Sequence, residues 1–378
     1  MDNKHIAIIG CGAMGKSIAS LLSIEKEVAK LLLCDLSDDA LHAIEQSIKN
    51  ISDIEVIMCN NILHNRHLLA DVDAIVLSLA WPLAWRYIQD LAGLKKPIVS
   101  ITRPNYSVFD SLQDFSQCPL SLPIGLEPGL TEIVIDLSLK KFGKLDDLLL
   151  YCGGFVDPPP GHFPYRCAFG DSVPIKADEA FYIENNNVRQ SPKYDHVEEI
   201  FINELGFLEA YRDGLMPWIA DKYKDLVTNL EQKTLRHRGF CSQVRNLKQL
   251  GFLSDQSIKV DDHNVDILAF TRRVLAQRKV SLSEVERDIT LLKALAKKGE
   301  DKSSLTITSS YCSKYNLTSM GMMTASVLTH YLLAFIDHIG IDNKYYHPHE
   351  YYHDDSAKQS LFNYMRSLGV HIEGDLIT

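Results

Sequence analysis

The sequence lacks the features that mark membrane-spanning, secreted and metal-binding proteins. No apolar run approaches the roughly 18 residues needed to cross a bilayer, and the opening residues MDNKHIAIIG enter a strand pattern without a signal-peptide core. None of the eight cysteines belongs to a C-x-x-C pair, which is typical of reduced thiols packed as small hydrophobic side chains. The histidines of YYHPHEYYHDD (345–355) lack the spacing of a standard zinc-ligand pair. We therefore expect a cytoplasmic protein with no membrane partner and no bound metal ion.

Basic charge is also scarce. The chain has 39 lysines and arginines against 49 acidic residues, a formal net charge of -10. We expect no nucleic-acid partner, because neutralising phosphates requires a large basic face. The length of 378 residues and the apolar content of 46% suit two globular domains. The same charge balance argues against a polyanion as the ligand of the dense basic cluster KTLRHRGF (233–240).

Strand and helix patterns alternate through the first 125 residues. Such alternation predicts a parallel sheet with helices on both faces. The predicted strands are His5–Ile9, Leu31–Cys34, Glu55–Met58, Ala74–Leu79, Pro97–Ile101 and Leu120–Ile124. The predicted helices are Met14–Ser23, Asp38–Lys49 and Pro82–Leu91.

A glycine-rich stretch, Gly10-x-Gly12-x-x-Gly15, joins the first strand to the first helix. Gly10 permits a tight turn, Gly12 lets a pyrophosphate approach the backbone, and Gly15 lets helix and strand pack closely. The helix N-terminus offers free N–H groups and the positive end of its dipole to phosphates. Asp35 ends the second strand about 20 residues after Gly15, the position of a ribose-binding carboxylate. The stretch therefore predicts a dinucleotide site.

The predicted cofactor is NAD. The carboxylate of Asp35 would repel the 2′-phosphate of NADP, and residues 36–38 supply no arginine to bind it. Further cofactor contacts are expected at the start of the first helix and at the ends of the third and fourth strands, namely Ala13, Met14, Asn60, Ala80 and Trp81. A SAM-binding or flavin-binding protein, a ligand-free turn, and a core position for Trp81 stay open as alternatives.

The second half of the chain has a less regular pattern. Leu148–Cys152 predicts a strand followed by the long loop GGFVDPPPGHFPYR, and short strands are expected around the ENNN turn. The capping-box pattern Ser281-x-x-Glu284 predicts a helix that carries Ile289 and further apolar residues on one face. SLTITSSYC predicts another strand. Ser319–Ile339 predicts a buried helix that is too interrupted by polar residues to span a membrane.

Four segments beyond residue 120 resemble motifs of the saccharopine dehydrogenase-like family, and most closely its lysine 6-dehydrogenase branch. They are PIGLEPGLTEI (123–133), YCGGFVDPPPGHFPYRCAFG (151–170), GFLEAYRDGL (206–215) with EQKTLRHRGF (231–240), and SMGMMTASVLTHYLLAFIDHIG (319–340). The strongest matches are to G-L-x-P-G-L and K-T-L-R. The sequence departs from the branch at His237-Arg238 and Phe240, where the motif has Tyr-Pro and His, and at Glu127, where it has Ala.

The resemblance implies an α/β fold in three parts. These are an N-terminal Rossmann dinucleotide-binding domain (1–125), a second α/β domain on a mixed sheet for substrate binding and dimerisation (126–318), and a C-terminal helical segment that returns to the Rossmann domain (319–378). The implied activity is NAD-dependent hydride transfer at the carbon–nitrogen bond of a small-molecule amino-acid substrate. The implied assembly is a homodimer.

The departures from the family fall where substrate is expected. Arg236 is predicted to anchor a substrate carboxylate, since a guanidinium binds a carboxylate bidentately; the alternative is a solvated surface arginine. Arg238 is predicted to meet a second carboxylate. Glu127 would hold a substrate ammonium or pair with a nearby arginine. Asp213 would contact the substrate amine or merely close its turn.

The candidates for proton transfer are His237, Tyr165 and His162. Hydride transfer from an amine carbon needs a deprotonated nitrogen, and a histidine titrates in the right range to exchange that proton. Packing and capping of the long loop are the alternative roles of Tyr165 and His162. Gly153 and Gly154 would let substrate or nicotinamide approach the backbone.

Two further functions stay open beside the amino-acid dehydrogenase. One is an imine reductase of polyamine, opine or specialised-metabolite biosynthesis on the same scaffold. The other is a non-catalytic NAD-binding sensor or scaffold protein that has kept the fold. A substrate panel read at the NADH absorbance separates the first two, and tight NADH binding without turnover would favour the last.

Overall fold

The chain forms two compact units. The computed structural model describes residues 3–157, 159, 161, 163–166, 175, 179–203, 205–277 and 287–377. Unit 1 consists of Met1–Asp136 with Cys312–His371, and unit 2 consists of Leu137–Tyr311 with Ile372–Thr378. The chain therefore passes from one unit to the other after residues 136, 311 and 371.

The strands are numbered along the chain. They are β1 (Lys4–Ile9), β2 (Val28–Cys34), β3 (Glu55–Cys59), β4 (Ala74–Leu77), β5 (Ile98–Ser100), β6 (Leu120–Ser121), β7 (Leu145–Asp157), β8 (Glu179–Glu184), β9 (Asn187–Pro192), β10 (Val197–Ile202), β11 (Gly206–Arg212), β12 (Val227–His237), β13 (Ser257–Val260), β14 (His263–Asp266), β15 (Arg287–Lys298), β16 (Asp301–Ser310), β17 (Tyr345–Tyr346) and β18 (His371–Gly374).

The helices are numbered in the same way. They are α1 (Ala13–Leu22), α2 (Asp38–Lys49), α3 (Leu83–Leu91), α4 (Phe109–Gln113), α5 (Leu130–Phe142), α6 (Pro217–Tyr223), α7 (Phe240–Gln249), α8 (Ile267–Gln277), α9 (Ser319–Ala334), α10 (Pro348–Tyr351) and α11 (Asp355–Ser367). A π-helical turn, Phe335–Ile339, continues α9.

Unit 1 is built on a seven-stranded sheet in the order β17-β6-β5-β4-β1-β2-β3. Every recorded pairing in it is parallel. The central strands β1, β2, β4, β5 and β6 are mostly apolar and buried, as expected for a sheet covered by helices on both faces. The strand order reverses between β1 and β4, and in such sheets ligands bind outside the carboxyl ends of the strands at that point. The prediction of a Rossmann sheet is confirmed.

The long helix α9 is part of the core of unit 1. It packs against α1 so closely that a Cβ built at Gly321 would lie 2.3 Å from Ser17 Oγ. By length and composition alone the stretch Ser319–Ile339 would pass as a membrane span, with a mean hydropathy of 1.4, although the sequence suggested that it is too polar. Of its apolar window, 67% is buried inside the structure, as in a core helix.

Unit 2 is built on a mixed sheet in the order β10-β11-β12-β7-β15-β16-β18, with β8 beside β12 and β9 beside β8. β12 and β7 run parallel, whereas β11 and β15 pair antiparallel with them. The final residues of the chain belong to this unit. Asp375 accepts hydrogen bonds from Ser304 N (2.7 Å) and Ser303 Oγ (3.1 Å), which ties the residues after β18 to β16.

The helix predicted after Glu284 is wrong, because the residues from 287 onward form the strand β15. Their burial alternates: Leu292, Ala294 and Ala296 are buried, whereas Leu295 is exposed. This period of two is that of a strand, and β7 and β16 pair with β15 along most of its length. Ser281 and Glu284 themselves lie outside the described residues.

Candidate functional site

The three glycines of the predicted phosphate loop have different structural roles. Gly10 has a φ of +98°, and a Cβ there would lie 2.3 Å from Ser78 O at the end of β4. A Cβ at Gly15 would lie 1.9 Å from Gly10 O, so Gly15 is required for the close approach of α1 to the turn. A Cβ at Gly12 would meet no atom within 4 Å. Gly10 and Gly15 therefore shape the turn, and Gly12 leaves open space beside it.

The start of α1 offers free donors at that open space. Gly12 is its N-cap, and a glycine has no side chain that could cap the helix. Gly12 and Ala13 are exposed and Met14 is half-buried. Backbone N–H groups in the first turn of a helix have no partner within the helix, and together with the dipole they attract an anion. This arrangement fits a pyrophosphate, as expected for a dinucleotide loop.

Asp35 is held in place by the loop itself. Its Oδ2 accepts a hydrogen bond from Cys11 N (2.7 Å) and its Oδ1 accepts one from Ser37 N (2.9 Å). A carboxylate has about four acceptor positions, so two remain for ribose hydroxyls. Burial and the neighbouring Asp35 charge raise the pKa of the Cys11 thiol to about 12, which keeps this thiol neutral. The acidic charge at the end of β2 is thus fixed in orientation.

The other predicted cofactor contacts lie at the same edge of the sheet. Asn60 and Ala80 are exposed after β3 and β4. The half-buried indole of Trp81 stacks on Trp85 with ring centroids 5.7 Å apart, and both rings pack against the core of unit 1. The structure therefore supports a packing role for Trp81 and leaves part of its ring exposed at the edge where a cofactor is predicted.

The turn that carries Glu127 is braced by a residue that sequence analysis missed. Glu132 is 3% exposed, and its Oε2 accepts hydrogen bonds from Gly129 N (2.5 Å) and Thr131 Oγ1 (2.8 Å). Burial raises the pKa of Glu132, an effect that these hydrogen bonds oppose. An acid three residues after the N-cap, here Gly129, is one half of a capping box, and that pattern could have identified it. Glu127 itself is half-buried.

The basic cluster KTLRHRGF begins in β12, so its side chains alternate between two faces of the sheet. One face, here the Arg236 face, carries Gln232, Thr234 and Arg236, with Glu209 and Tyr211 of β11 opposite. The other, the His237 face, carries Lys233, Leu235 and His237, with Leu208 and Ala210 opposite. The two strongest candidates in the cluster, Arg236 and His237, therefore lie on opposite faces and are not brought together.

Arg236 is a buried cation with an incomplete set of partners. Only 8% of the residue is exposed. Its Nη1 donates to Leu235 O (2.7 Å), and its Cζ lies 4.8 Å from the ring centroid of Tyr165 and 5.7 Å from that of Phe240. Among the described residues, its buried Nε has no hydrogen-bond partner and no carboxylate forms an ion pair with it. A buried charge left this way is costly, so the site calls for an anion.

Tyrosines surround this guanidinium. Tyr165, Tyr194, Tyr211 and Phe240 belong to one buried cluster, in which the rings of Tyr194 and Tyr211 are 4.6 Å apart. Burial raises the pKa of Tyr211 well above its usual value, so its phenol stays protonated. Neutral phenols can donate hydrogen bonds to a carboxylate. Of the proton-transfer candidates, the structure places Tyr165 beside Arg236, and His162 lies outside the described residues.

Gln232 is a further polar residue of the Arg236 face that sequence analysis missed. It is 1% exposed, and both its amide oxygen and its amide nitrogen lack a partner among the described residues. A glutamine within a buried strand indicates a polar site, but the sequence pattern of 231–240 did not predict a strand.

His237 packs on its own face against Phe155, with ring centroids 5.5 Å apart. Its Nε2 lies 2.8 Å from Val156 O. A carbonyl oxygen only accepts, so Nε2 carries the proton and Nδ1 keeps the lone pair. Burial lowers the pKa of His237 below 6.5, although the bond to Val156 opposes this shift. The imidazole is thus a neutral base on the face away from Arg236.

The remaining predicted substrate residues are held by neighbours. Asp213 Oδ1 lies 2.6 Å from Lys193 Nζ, and its Oδ2 accepts from Thr234 Oγ1 (3.1 Å) on the Arg236 face. The exposed Arg238 pairs with Glu199, with Nη2 to Oε1 at 2.8 Å. Both residues therefore have ion-pair partners within unit 2.

Gly153 and Gly154 lie within β7 and not in a loop, because β15 pairs with β7 as far as Asp157. A Cβ at Gly153 would lie 2.7 Å from Leu235 O, so this glycine allows β7 and β12 to approach each other. The predicted loop begins only after Asp157.

Two of the sequence motifs are joined by one carboxylate. Glu209, in GFLEAYRDGL, accepts hydrogen bonds from Gly239 N (2.8 Å) and Cys241 N (2.9 Å), at the start of α7. Gly239 has a φ of +92°, which ends β12 and turns the chain into the helix. Glu209 thus caps α7 across the strand pair and fixes the end of β12, where Arg236 lies.

The histidine tract 345–355 has ordinary contacts. The ring centroids of His347 and His349 are 5.7 Å apart, and His353 Nε2 lies 2.9 Å from Asp136 Oδ2. Within the described part of the chain, no three His, Cys, Asp or Glu residues are arranged to hold a metal ion.

The fold and the phosphate loop define a protein with a Rossmann unit of the dinucleotide-binding type and a second unit built on a mixed sheet. The family model for the saccharopine dehydrogenase C-terminal domain matches residues 125–364. The chain therefore belongs to the saccharopine dehydrogenase-like family, and the resemblance found in the sequence is confirmed. The narrower likeness to lysine 6-dehydrogenase stays a prediction.

Two solved structures share the fold over nearly the whole chain. Apo saccharopine dehydrogenase (L-Glu forming) from Saccharomyces cerevisiae has a TM-score of 0.76 at 13% identity, with 99% of each chain covered. Homospermidine synthase from Legionella pneumophila, in complex with NAD, has a TM-score of 0.65 at 10% identity, with 99% of this chain and 91% of that chain covered. At such low identity the likeness shows the fold of this protein and not its substrate.

Proposed function

We propose that this protein is a nicotinamide-dependent oxidoreductase acting on the carbon–nitrogen bond of an amino acid. The observation that carries the proposal is Arg236, on a motif of the saccharopine dehydrogenase-like family. It is a buried guanidinium among tyrosines, and its Nε has no hydrogen-bond partner among the described residues. Such a site suits the carboxylate that every amino acid carries.

The proposed cofactor is NAD. Residues of the loop fit a dinucleotide: Gly12 leaves the space, the uncapped start of α1 supplies donors, and Asp35 supplies an oriented carboxylate. The NAD-bound homospermidine synthase of the same fold supports a nicotinamide cofactor. Asp35, followed by the acids Asp38 and Asp39, disfavours the 2′-phosphate of NADP. When bound, the nicotinamide ring accepts or gives the hydride.

The chain's own residues would bind and orient the substrate. Arg236 holds a carboxylate, helped by the neutral phenols beside it. The role of Glu127 toward a substrate ammonium stays a prediction. Tyr165 is the proposed residue for exchanging the proton of the amine nitrogen, because its ring lies against Arg236. His237 is the less favoured candidate, since its side chain is on the opposite face of β12.

A polyamine substrate is disfavoured by the same observation. Polyamines are cationic and carry no carboxylate, so a buried arginine would repel them. An imine reductase that forms an opine-like amino acid keeps the carboxylate and stays the second candidate. A protein that only senses NAD would not need the buried guanidinium.

The test is a substrate panel on the full-length protein. Amino acids, and pairs of keto acids with amines, are offered with NAD or NADH, and turnover is followed at the NADH absorbance. We expect turnover with substrates that carry a carboxylate and none with polyamines. Absence of NADH binding would contradict the proposed cofactor. Turnover of polyamines alone would contradict the proposed role of Arg236 in binding a carboxylate.

A further inference from the structure

Gln232 carries a buried amide that its neighbours in the sheet do not satisfy. The residue is 1% exposed, and its Oε1 and Nε2 have no hydrogen-bond partner among the described residues. Its register partner on β7 is the fully buried Leu150, a hydrocarbon side chain that neither donates nor accepts. Burying an amide without partners costs free energy, so this position calls for a group that can donate to it and accept from it.

The polar side chains beside Gln232 are engaged with one another. Asp213 N donates to Gln232 O (2.9 Å), which places Asp213 next to Gln232 just beyond the end of β11. The carboxylate of Asp213 lies 2.6 Å from Lys193 Nζ and accepts a hydrogen bond from Thr234 Oγ1 (3.1 Å). Gly214 N also donates to this carboxylate (2.7 Å). The nearest charged groups are thus paired with each other, and the amide of Gln232 lies outside their network.

Arg236 lies on the same face of β12 as Gln232, four residues further along. Two strand repeats separate them, so their Cα atoms are about 13 Å apart. Arg236 Nη1 donates to Leu235 O (2.7 Å), so the guanidinium folds back toward the part of β12 that carries Gln232. Among the buried side-chain polar atoms of β12, those without a partner in the described structure belong to these two residues. One ligand that satisfies both needs a carboxylate at one end and a polar group several ångströms away.

We infer that Gln232 is a specificity-determining residue that binds an uncharged polar group of the substrate whose carboxylate Arg236 holds. An amide does not neutralise a charge, and burying an ammonium or a second carboxylate beside it would be costly. A hydroxyl, an amide or a deprotonated amine both donates and accepts, as the site requires. This inference rests on the proposed function, since it narrows the proposed amino-acid substrate to one that carries such a group along its chain.

The test compares carboxylates that differ only by a terminal hydroxyl group, without turnover. The full-length protein is titrated by calorimetry, in the presence of NADH, with the unbranched series from butanoate to octanoate and with the ω-hydroxy derivative of each. We expect a hydroxyl derivative of matching length to bind about tenfold more tightly than its parent, the gain from hydrogen bonds to the amide. Gln232→Leu should remove this preference and keep the affinity for the parent carboxylates within about twofold.

The stability of the same variant separates a binding role from a structural one. Leucine has about the size of glutamine and no amide to bury, so Gln232→Leu should unfold at the same or a higher urea concentration than the wild type. Gln232→Met, which keeps the length of the side chain, is the second variant and should behave in the same way. Gln190→Leu, at an exposed glutamine of β9, is the matched control and should keep the hydroxyl preference.

Two results would overturn the inference. They are the absence of a hydroxyl preference in the wild type at every chain length, and a preference that persists in Gln232→Leu and Gln232→Met. A persisting preference together with a lower urea midpoint would show that the amide serves only the fold. The proposed function fails in other ways: the wild type does not bind NADH, or Arg236→Met binds the parent carboxylates as the wild type does. If NADH does not bind, the titrations are made without it, so the two failures are told apart.

Discussion

The phosphate loop and β12 are two candidate ligand sites that are made in opposite ways. In the loop, residues 10–15, the backbone does the binding, and glycines serve by having no side chain. In β12 the backbone pairs with β7 and β11, and one charged side chain, Arg236, is buried without a carboxylate partner among the described residues. The loop depends on contacts within a short segment, whereas Arg236 depends on β11, α7 and the tyrosines around it.

The comparison predicts which substitution each site does not tolerate. A site made of backbone is lost when a Cβ is added, and a site made of one buried charge is lost when that charge is removed. It also predicts opposite consequences for stability, because a well-packed glycine turn stabilises the fold, while an unpaired buried cation costs free energy.

The largest effect is expected for Arg236→Met. Removing the guanidinium should lower kcat/KM for the substrate found in the panel about a thousandfold, or about 4 kcal/mol of transition-state stabilisation. The melting temperature should stay the same or rise, because an unpaired buried charge is replaced by an apolar side chain. Steady-state kinetics and thermal unfolding measure the two quantities. Arg238→Met, at an exposed pair, is the control; a large loss of stability in Arg236→Met with wild-type KM would show a structural role instead.

The second test separates two glycines of the same loop. Gly15→Ala should lower the free energy of unfolding by about 3 kcal/mol, because the new Cβ would lie 1.9 Å from Gly10 O and the turn must distort. Gly12→Ala should keep wild-type stability, because its Cβ would enter only open space. It should lose about tenfold in NADH affinity, because that open space is where the pyrophosphate is proposed to bind. Denaturant unfolding and NADH fluorescence titration give the two numbers. If both variants bind NADH as the wild type does, the loop is not a phosphate site.

The third test concerns the charge of Asp35. Asp35→Asn keeps a carbonyl oxygen as acceptor and removes the negative charge, so NADH affinity should fall about tenfold while NADPH affinity falls less or rises. The ratio of the two dissociation constants is the measurement. Asp38→Asn, in the exposed first turn of α2, is the control. An unchanged ratio would remove the basis for choosing NAD over NADP.

The smallest effect is expected for the pH dependence of the unfolding free energy, to which His237 on β12 contributes. The folded-state pKa of His237 on β12 is lowered by burial, so the unfolded chain binds its proton more readily. The stabilising contribution of neutral His237 is therefore present above pH 6.5 and is lost as pH falls through the folded pKa. His237→Gln can still donate to Val156 O and should flatten this acid limb. Unfolding free energies between pH 7 and pH 5 test the sign; a steeper limb in the variant would contradict it.

The thiol of the loop, by contrast, stays protonated throughout that range. The pKa of Cys11 is raised to about 12 by burial, so Cys11 contributes no titration to NADH binding near neutral pH. NADH affinity is measured in the same buffers, and we expect Cys11 to add no pH dependence to it, in contrast to the effect of His237 on stability.

The sequence predicts the Rossmann unit well because its signals are local. Its strands are short apolar runs separated by helical patterns, and the glycine spacing and Asp35 are read within 35 residues. The strand β15 was predicted wrongly, since a capping-box pattern outweighed the alternation of Lys293, Leu295 and Lys297 with buried residues. That alternation is decided by pairing with β7 and β16, which local propensity does not show.

The candidate site in unit 2 was predicted only in part, for a related reason. Arg236 was identified by motif, but its separation from His237 follows from strand geometry once β12 is recognised as a strand. The cap that Glu209 provides for α7 joins residues about 30 positions apart, and it depends on the register of β11 with β12. Glu132 and Gln232 matter because their side chains are buried, which a single sequence does not display.

The three passages of the chain between its units have a consequence for its synthesis. When residues 1–136 have left the ribosome, unit 1 still lacks α9, which packs on α1, and β17, which extends its sheet. When residue 311 has followed, unit 2 still lacks β18 and the bonds of Asp375 to Ser303 and Ser304. Neither unit is complete until residues from the last fifth of the chain have emerged. Completion of both units therefore depends on long-range contacts that become available late in synthesis, and such contacts form more slowly than local ones.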